Sequence, residues 1–289
     1  MNAPRSETAV YARHGATELA LDIFRPRTGN RHCAVLLFHG GGWRGGAKEF
    51  VHAQANGLAE QGFTALAVQY RLLGIAAWPA QLDDAVAACH WARTNADALD
   101  IDPATLVVQG HSAGAQMALL TGTLDADVRP AAIVAYYPAI GFHPSTLPEL
   151  PGDPDTPRLP SLPLDLDELG RVPSWMLFPA GASPADLSAA SPIDLLHQDF
   201  PPTIVFHATA DRLFDVRSSV ALHQRLHALG VSAELHFYAD RDHGFDRAPS
   251  MTRATVAAAT SFLERMVTHR EDNAAEAREF AFPPAPYRR

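Results

Sequence analysis

The pentapeptide Gly110-His111-Ser112-Ala113-Gly114 lies between an apolar run at residues 105–109 and an alanine-rich run at residues 115–124. The first run is typical of a buried strand and the second of a helix, so the five residues between them predict a sharp strand-to-helix turn. A side chain at the apex of such a turn needs small neighbours, because the two backbones pass close on either side. The flanking glycines leave that room, and we expect Ser112 to present its hydroxyl above a sheet.

Short apolar runs alternate with helical patterns along most of the chain. Strand-like runs cover residues 33–38, 64–69, 105–109, 131–136, 203–207 and 233–238. Helical patterns cover residues 48–61, 79–96, 113–124, 216–229 and 250–269, and an antiparallel hairpin is predicted at residues 9–14 and 18–24. This alternation predicts an α/β fold, with a mostly parallel sheet covered by helices on both faces.

Length and composition are those of an ordinary globular enzyme. The 289 residues are 47% hydrophobic and 19% charged, which suits one α/β domain with an inserted segment. We expect a single domain over residues 1–289, with a small cap at residues 141–173, where repeated prolines and leucines interrupt the rhythm. Residues 271–289 are predicted to be a charged, proline-bearing tail.

The charge of the chain bears on its partners. A net charge of -9 and a pI near 5.8 give no reason to expect a nucleic acid or an anionic membrane. No apolar run could span a bilayer and residues 1–7 lack a hydrophobic signal, so we expect a cytoplasmic protein with free, buried thiols at Cys33 and Cys89. The expected partner is a small molecule, and the sequence is compatible with a homodimer.

Loops that follow the predicted strands carry the groups that a reactive serine needs. A serine hydroxyl is barely ionised at neutral pH, so a neighbouring base has to take its proton during attack on a carbonyl. His243, after the strand at residues 233–238, is the candidate base. Asp211, after the strand at residues 203–207, is the candidate carboxylate that orients the imidazole, with Asp215 as an alternative.

A glycine-rich loop, His39-Gly40-Gly41-Gly42-Trp43, follows the strand at residues 33–38. Consecutive glycines allow the backbone to turn several N–H groups toward one point, where they could stabilise an oxyanion. Gly41 and Gly42 are therefore candidate donors. Ala113 is a third, because it begins a helix directly after Ser112.

Substrate contacts are expected from Trp43, Trp78 and His111. Packing beneath the glycine loop is an equally good interpretation of Trp43, and the side chain of His111 should point away from the turn. His39 and His207 are expected to be structural. The 14 histidines form no metal-binding pattern, so neither a metal nor another cofactor is expected.

Together, these motifs resemble those of the α/β-hydrolases. The motifs are His39-Gly40-Gly41-Gly42-Trp43, Gly110-His111-Ser112-Ala113-Gly114, Ala208-Thr209-Ala210-Asp211-Arg212 and Asp242-His243-Gly244-Phe245. Within that superfamily the chain resembles the HGGG carboxylesterases, the hormone-sensitive-lipase-like and feruloyl or acetyl esterase group. The resemblance covers roughly residues 9–267. Two departures are Ala115, where a third glycine often follows the turn, and Leu72-Leu73-Gly74, where Leu-Ala-Pro is more usual.

The resemblance implies roles for the candidate residues. These are a nucleophile at Ser112, a base at His243, an orienting carboxylate at Asp211 and oxyanion donors at Gly41, Gly42 and Ala113. We expect a cofactor-independent serine hydrolase that cleaves short-chain or aromatic carboxylic esters through an acyl-enzyme. An arylformamidase is an alternative, because that group shares the fold and the triad. A ligand-binding receptor on the same scaffold is a second alternative, against which the presence of both His243 and Asp211 argues.

Overall fold

The apolar runs of the sequence form short strands in the computed structural model, which describes residues 6–26, 29–144 and 171–280. The strands within those residues are β1 (Glu7–His14), β2 (Thr17–Phe24), β3 (Ala34–Phe38), β4 (Thr64–Val68), β5 (Val107–His111), β6 (Ala132–Tyr136), β7 (Gly141–His143), β8 (Arg171–Pro173), β9 (Thr203–Ala208) and β10 (Ala233–Tyr238). Eight of them form one sheet in the order β1-β2-β4-β3-β5-β6-β9-β10, and β7 pairs separately with β8.

The sheet is antiparallel at one edge and parallel elsewhere. β1 and β2 form the predicted hairpin, and β2 runs antiparallel to β4. From β4 to β10 all neighbours are parallel. Every residue of β3, β4, β5 and β6 is buried, because helices cover both faces. The predicted fold class is therefore confirmed.

Helices form a layer on each face of the sheet. They are α1 (His52–Glu60), α2 (Ala80–Thr94), α3 (Ala96–Leu99), α4 (Ala113–Thr121), α5 (Pro184–Ala190), α6 (Pro192–Leu195), α7 (Arg217–Ala228), α8 (Pro249–Leu263) and α9 (Arg270–Glu279). Side chains of α2, α4 and α7 pack in one core cluster with Leu36, and those of α1 and α8 pack in another with Leu37. Successive residues of β3 thus serve opposite layers, as the alternation of side chains along a strand requires.

The parallel register brings the carboxyl ends of the strands to one edge of the sheet. Leu37 lies opposite Gln109, which in turn lies opposite Val134, and Phe237 lies opposite His207. The loops that follow β3, β5, β6, β9 and β10 therefore meet at this edge, where ligands bind in open α/β sheets.

Some predicted helices begin or end differently. The predicted helix at residues 48–61 opens with a 3₁₀ turn, Lys48–Val51, before α1. The predicted helix at residues 79–96 is divided at Asn95, whose side-chain amide donates to the carbonyl of Trp91. The sequence analysis missed α5, although its capping box between Ser183 and Asp186 is a recognisable start signal.

The C-terminal part of the chain is more helical than predicted. α8 ends at Leu263, and a π-helical turn, Glu264–Thr268, leads into α9, which occupies part of the segment predicted as a tail. Residues 281–289 of that tail lie outside the described residues, as do residues 145–170 of the predicted cap. None of the helices in the described ranges is long and apolar enough to cross a membrane.

Candidate active site

Ser112 lies at the apex of the turn between β5 and α4. Its φ of +56° and ψ of -115° are uncommon for a residue with a side chain, and the flanking glycines make the turn feasible. A Cβ on Gly110 would lie 2.1 Å from the carbonyl oxygen of Gly114, and one on Gly114 would lie 2.3 Å from that of Phe38. Only glycine fits at either position, which is the steric reason predicted for the motif.

A histidine and an aspartate line up behind the serine hydroxyl. Nε2 of His243 is 2.9 Å from Oγ of Ser112, and Nδ1 of His243 is 2.8 Å from Oδ2 of Asp211. The Asp211 side chain is fully buried, whereas 19% of the His243 side chain is exposed. Donation of the Nδ1 proton to Asp211 leaves Nε2 free to accept the proton of Ser112.

Asp211 is held by donors on both carboxylate oxygens. Oδ1 accepts the backbone N–H groups of Leu213 at 2.8 Å and Phe214 at 2.9 Å. Burial by itself would raise the pKa of Asp211, but hydrogen bonds from His207 and His243 outweigh it and hold that pKa well below its usual range. The carboxylate is therefore ionised at neutral pH, opposite the imidazole.

The alternative carboxylate has a different partner. Asp215 accepts the backbone N–H of Arg217 at 2.9 Å and forms an ion pair with the guanidinium of the same residue. Asp242 likewise pairs with Arg212 and accepts the backbone N–H of His243 at 2.8 Å. Among the described carboxylates, Asp211 is the one in contact with Nδ1 of His243.

His207 is structural, as expected, but it also touches the site. Its ring is fully buried, with Nδ1 2.6 Å from Oγ of Ser219. Its Nε2 lies 3.3 Å from Oδ2 of Asp211, a contact that the sequence analysis missed. The sequence offered one indication of this contact, since His207 and Asp211 flank the end of the same strand.

The glycine loop passes directly over the serine. A Cβ on Gly40 would lie 3.2 Å from Cβ of Ser112. Gly41 and Gly42 have φ angles of +130° and +59°, which favour glycine. Within the described residues, no hydrogen bond is formed by the backbone N–H of Gly41, Gly42 or Ala113. These three donors are thus available to a ligand at Ser112.

His39 supports the loop from behind. Its ring is fully buried, stacks on Tyr70 with centroids 4.3 Å apart, and has Nδ1 2.8 Å from the carbonyl oxygen of Gly40. Burial lowers the pKa of His39 to about 4, so the ring is neutral and Nδ1–H donates to that carbonyl. The geometry matches the expected structural role.

A cavity of about 280 Å³ opens beside Ser112. Its lining includes apolar surface from Phe50, Val51, Tyr137 and Leu213 and polar groups from His111, Asp246 and Arg247. Phe50 and Leu213 are about half exposed and form part of its mouth. A cavity of this size and mixed lining suits one small organic group.

The three side chains expected to bind substrate occupy different places. His111 borders the cavity, with Nδ1 3.0 Å from Oδ2 of Asp246. Trp43 does not border this cavity: it is fully buried, packs against Phe142 and donates its indole N–H to Gln116 at 3.1 Å. This position favours the interpretation that Trp43 packs beneath the glycine loop, and its contact with substrate stays a prediction.

Trp78 is also absent from the lining of this cavity. It is half-buried and packs against the core cluster that contains Trp43 and Phe142. The sequence analysis missed several residues that line the cavity, among them Tyr137 and Asp246. Tyr137 directly follows β6 at the carboxyl edge of the sheet, and Asp246 lies three residues after His243, so position in the fold was the available signal.

One cluster of side chains that could bind a metal ion occurs among the described residues, and it is distant in sequence from Ser112. Asp22, Glu49 and His52 could each offer one ligand atom. However, Nζ of Lys48 lies 2.5 Å from Oδ2 of Asp22 and 3.1 Å from Oε1 of Glu49. An ammonium group in that position already neutralises the carboxylates that a cation would need.

A comparison against known families agrees with the fold. Residues 35–247 match the family described as alpha/beta hydrolase fold. The chain belongs to this family, as its motifs indicated.

Several individual proteins similar to this chain are named enzymes. Carboxylesterase NlhH of Mycobacterium tuberculosis is 28% identical, over 83% of this chain and 75% of the relative. Esterase LipC of the same organism is 27% identical, over 89% of this chain and 64% of the relative. Among solved structures, the native thermophilic esterase Est2 of Thermogutta terrifontis has a TM-score of 0.72 at 24% identity, covering 91% of this chain and 92% of its own. That likeness supports the fold.

Proposed function

We propose that this chain is a serine carboxylesterase that hydrolyses short-chain or aromatic esters through an acyl-enzyme. The observation that carries the proposal is the continuous line of contacts from Ser112 through His243 to Asp211 beneath a loop with free N–H groups. The names of the relatives, carboxylesterase and esterase, support the same reaction class.

Acylation follows from the positions of these groups. Oγ of Ser112 attacks the ester carbonyl while Nε2 of His243 takes its proton, and the ionised Asp211 stabilises the resulting imidazolium. The carbonyl oxygen becomes an oxyanion that accepts hydrogen bonds from the glycine loop and from the helix terminus. Each such donor contributes about 10²- to 10³-fold to the rate in comparable sites. His243 then returns the proton to the departing alcohol.

Deacylation uses the same groups in the same order. His243 takes a proton from a water molecule, which attacks the carbonyl carbon of the acyl-Ser112 ester. The second oxyanion forms at the same N–H groups, and its collapse breaks the bond to Ser112 and releases the acid. His243 returns its proton to Oγ of Ser112, which restores the serine. The cycle needs no redox or electron-transfer step.

We further propose that residues 141–173 form a cap within a single domain. The two ends of this segment lie side by side, since Gly141–His143 pairs in parallel with Arg171–Pro173. Phe142 and Val172 pack in the same cluster as Trp43, beneath the glycine loop. The chain thus leaves and re-enters the core next to the proposed site, which supports a role for the segment in covering bound substrate.

We also propose that the protein is cytoplasmic and that it forms a homodimer. Cell fractionation with an antibody to the native protein tests the location. Light scattering coupled to size-exclusion chromatography tests the dimer.

Replacement of the proposed nucleophile tests the reaction. Ser112→Ala should abolish turnover of short p-nitrophenyl esters and prevent labelling by a small organophosphorus ester. The variant should still unfold in a transition like that of the wild-type protein. Ser188→Ala, which changes an exposed serine on α5, is the matched control and should keep full activity. Labelling of a different serine, or turnover by the alanine variant, would contradict the assignment. Faster cleavage of N-formylkynurenine than of every ester would favour the arylformamidase instead.

A further inference from the structure

A second buried carboxylate lies behind the proposed histidine base. Asp246 is only 1% exposed, yet it contacts three polar side chains. Tyr137 donates its hydroxyl to Oδ1 at 2.5 Å, Gln54 donates its amide to Oδ2 at 2.5 Å, and Nδ1 of His111 lies 3.0 Å from Oδ2. Removing a carboxylate from water carries a large desolvation penalty, so its burial here calls for a physical explanation.

The contacts of Asp246 join the two segments that carry the reacting side chains. Asp246 is three residues after His243, and its partner His111 directly precedes Ser112. Its backbone carbonyl also accepts the hydroxyl of Thr252, on α8, at 2.6 Å. One carboxylate therefore fixes the histidine loop relative to the nucleophile turn.

The side chain of Tyr137 links this carboxylate to the imidazole. Its ring centroid is 4.3 Å from that of His243, at an interplanar angle of 55°. Burial and the neighbouring Asp246 raise the pKa of Tyr137 well above its ordinary value, so the hydroxyl stays protonated and donates to the carboxylate. The ring is thereby fixed at its far end, and its centroid lies close to the ring of His243.

This arrangement places an electron-rich ring next to the imidazole. An aromatic ring carries negative charge on its face and attracts a cation within about 6 Å of its centroid. Donation of the hydroxyl proton to a carboxylate polarises the ring further toward negative charge. His243 is cationic only after it has taken the serine or water proton, so the attraction is stronger in the transition state than in the resting enzyme.

We propose that Tyr137, fixed by Asp246, is a positioning residue that seats the imidazole of His243 and stabilises its cationic form during ester hydrolysis. The role rests on the proposed function, because it acts through the proposed base. Tyr137 itself donates no proton to the substrate and forms no covalent bond.

Other groups also face His243 and have to stay constant in any test. Asp211 contacts Nδ1, Ser112 contacts Nε2, and Asp242 accepts the backbone N–H. The ring of Phe214 packs edge-on at 5.1 Å. Substitution of Tyr137 leaves all of these side chains in place.

The central experiment removes only the hydroxyl. Tyr137→Phe keeps the ring surface in the cavity but loses the bond to Asp246. We expect kcat to fall about three- to tenfold, with KM within about twofold, because the lost interaction belongs to the transition state. The pH at half-maximal kcat/KM should move to lower pH, because the neutral imidazole is less easily protonated once the ring attracts a cation less strongly.

Two further variants grade the effect, and a neighbouring tyrosine supplies the control. Tyr137→Leu, which removes the ring, should lower kcat by about 10- to 30-fold. Asp246→Asn keeps an amide oxygen that can accept the Tyr137 hydroxyl but removes the negative charge, so it should lower kcat by no more than Tyr137→Phe does. Tyr136→Phe makes the same chemical change at the adjacent buried tyrosine, whose hydroxyl has no bond to Asp246, and should leave kcat and the pH midpoint unchanged.

Readouts independent of turnover separate this inference from the proposed function. Active-site titration with an organophosphorus ester normalises kcat to folded, competent protein. NMR titration of the His243 ring, without substrate, should show the same shift of its midpoint to lower pH in Tyr137→Phe. An unchanged kcat and an unchanged midpoint in both Tyr137 variants would overturn the inference. If the wild-type protein hydrolyses no ester, the proposed function fails, while the NMR midpoint still decides whether Tyr137 stabilises the imidazolium.

Discussion

The carboxylate of Asp211 is oriented by the backbone before it meets the histidine. Its Oδ1 accepts two N–H groups, from Leu213 and Phe214, so this oxygen has to remain an acceptor. Oδ2 is thereby left for the imidazoles, with His243 at 2.8 Å and His207 at 3.3 Å. The consequence is that the two carboxylate oxygens are not interchangeable at this site, which makes an amide substitution unusually informative.

Asp211→Asn should lower kcat/KM by about 10⁴-fold, as loss of the equivalent carboxylate does in another serine hydrolase. The amide oxygen has to accept the two backbone N–H groups, so the NH₂ faces Nδ1 of His243. The imidazole proton is then forced onto Nε2, where it points at Ser112 and blocks deprotonation of the hydroxyl. Steady-state kinetics on a p-nitrophenyl ester measure the loss.

Asp215→Asn is the matched control for that substitution. Asp215 pairs with the exposed Arg217, and surface ion pairs contribute little. We expect kcat/KM within about threefold of the wild-type value. A larger loss in Asp215→Asn than in Asp211→Asn would show that the orienting carboxylate has been assigned to the wrong residue.

At the scale of elements, the glycine loop rests on groups from distant parts of the chain. Trp43 donates to the amide oxygen of Gln116 on α4, and the amide nitrogen of Gln116 donates to the carbonyl of Ala190 at the end of α5 at 2.8 Å. The cluster around Trp43 also contains Phe142 from β7 and Val172 from β8. The ends of the proposed cap are therefore packed into the support of the proposed oxyanion site.

Replacement of residues 145–170 by a short Gly/Ser linker tests the cap. A linker that runs back along the pair can join the end of β7 to the start of β8, because these parallel strands are only three residues long each. The triad should stay intact, so a small organophosphorus ester should label Ser112 at a rate within about threefold of the wild-type rate. KM for the best ester should rise and the preference among acyl and alcohol groups should flatten, because remote contacts supply binding.

Deletion of residues 281–289 is the control for the linker variant, since it also shortens the chain but leaves residues 145–170 in place. Its ester preference should match that of the wild type. If the linker variant discriminates among the esters of the panel as strongly as the wild type does, the segment does not contact substrate.

On the scale of the whole molecule, the edge hairpin is tied to the helical layer by one buried carboxylate. Asp22 on β2 is 3% exposed and contacts Thr8 on β1, Lys48 before α1 and His52 on α1. Burial would raise the pKa of Asp22, but the hydrogen bond from Lys48, then those from Thr8 and His52, lower it below its usual value. The folded state therefore favours the ionised carboxylate.

Asp22→Asn should lower the free energy of unfolding at pH 7 by about 2 kcal/mol, the scale of a hydrogen bond to a charged group. Because the pKa is lower in the folded state, this stabilisation is complete well above the unfolded value of about 3.9 and disappears as the pH falls through the folded value. Urea denaturation between pH 7 and pH 3 should show the gap between variant and wild type closing at the acid end. Asp199→Asn, an exposed aspartate, is the control and should show no gap. A gap that does not change with pH would contradict the ionic contribution.

Local patterns in the sequence predicted the order of strands and helices. A strand buried on both faces gives a continuous apolar run, and a helix gives a periodic one, so both are visible among neighbouring residues. Local patterns also predicted the turn at Ser112 and the loops of His243 and Asp211, because parallel strands bring their carboxyl ends to one edge. The structure brings these three side chains into contact. Local patterns could not separate Asp211 from Asp215, which lie four residues apart in one loop.

The remaining features depend on packing between segments that are distant in sequence. The sequence left open whether Trp43 binds substrate or packs beneath the glycine loop, because its position depends on Phe142 and Gln116, which no local pattern specifies. The contact of Tyr137 with Asp246 joins residues 109 positions apart. Contacts between such distant residues form when the helical layers pack on the sheet. Periodicity and motif spacing therefore do not predict them.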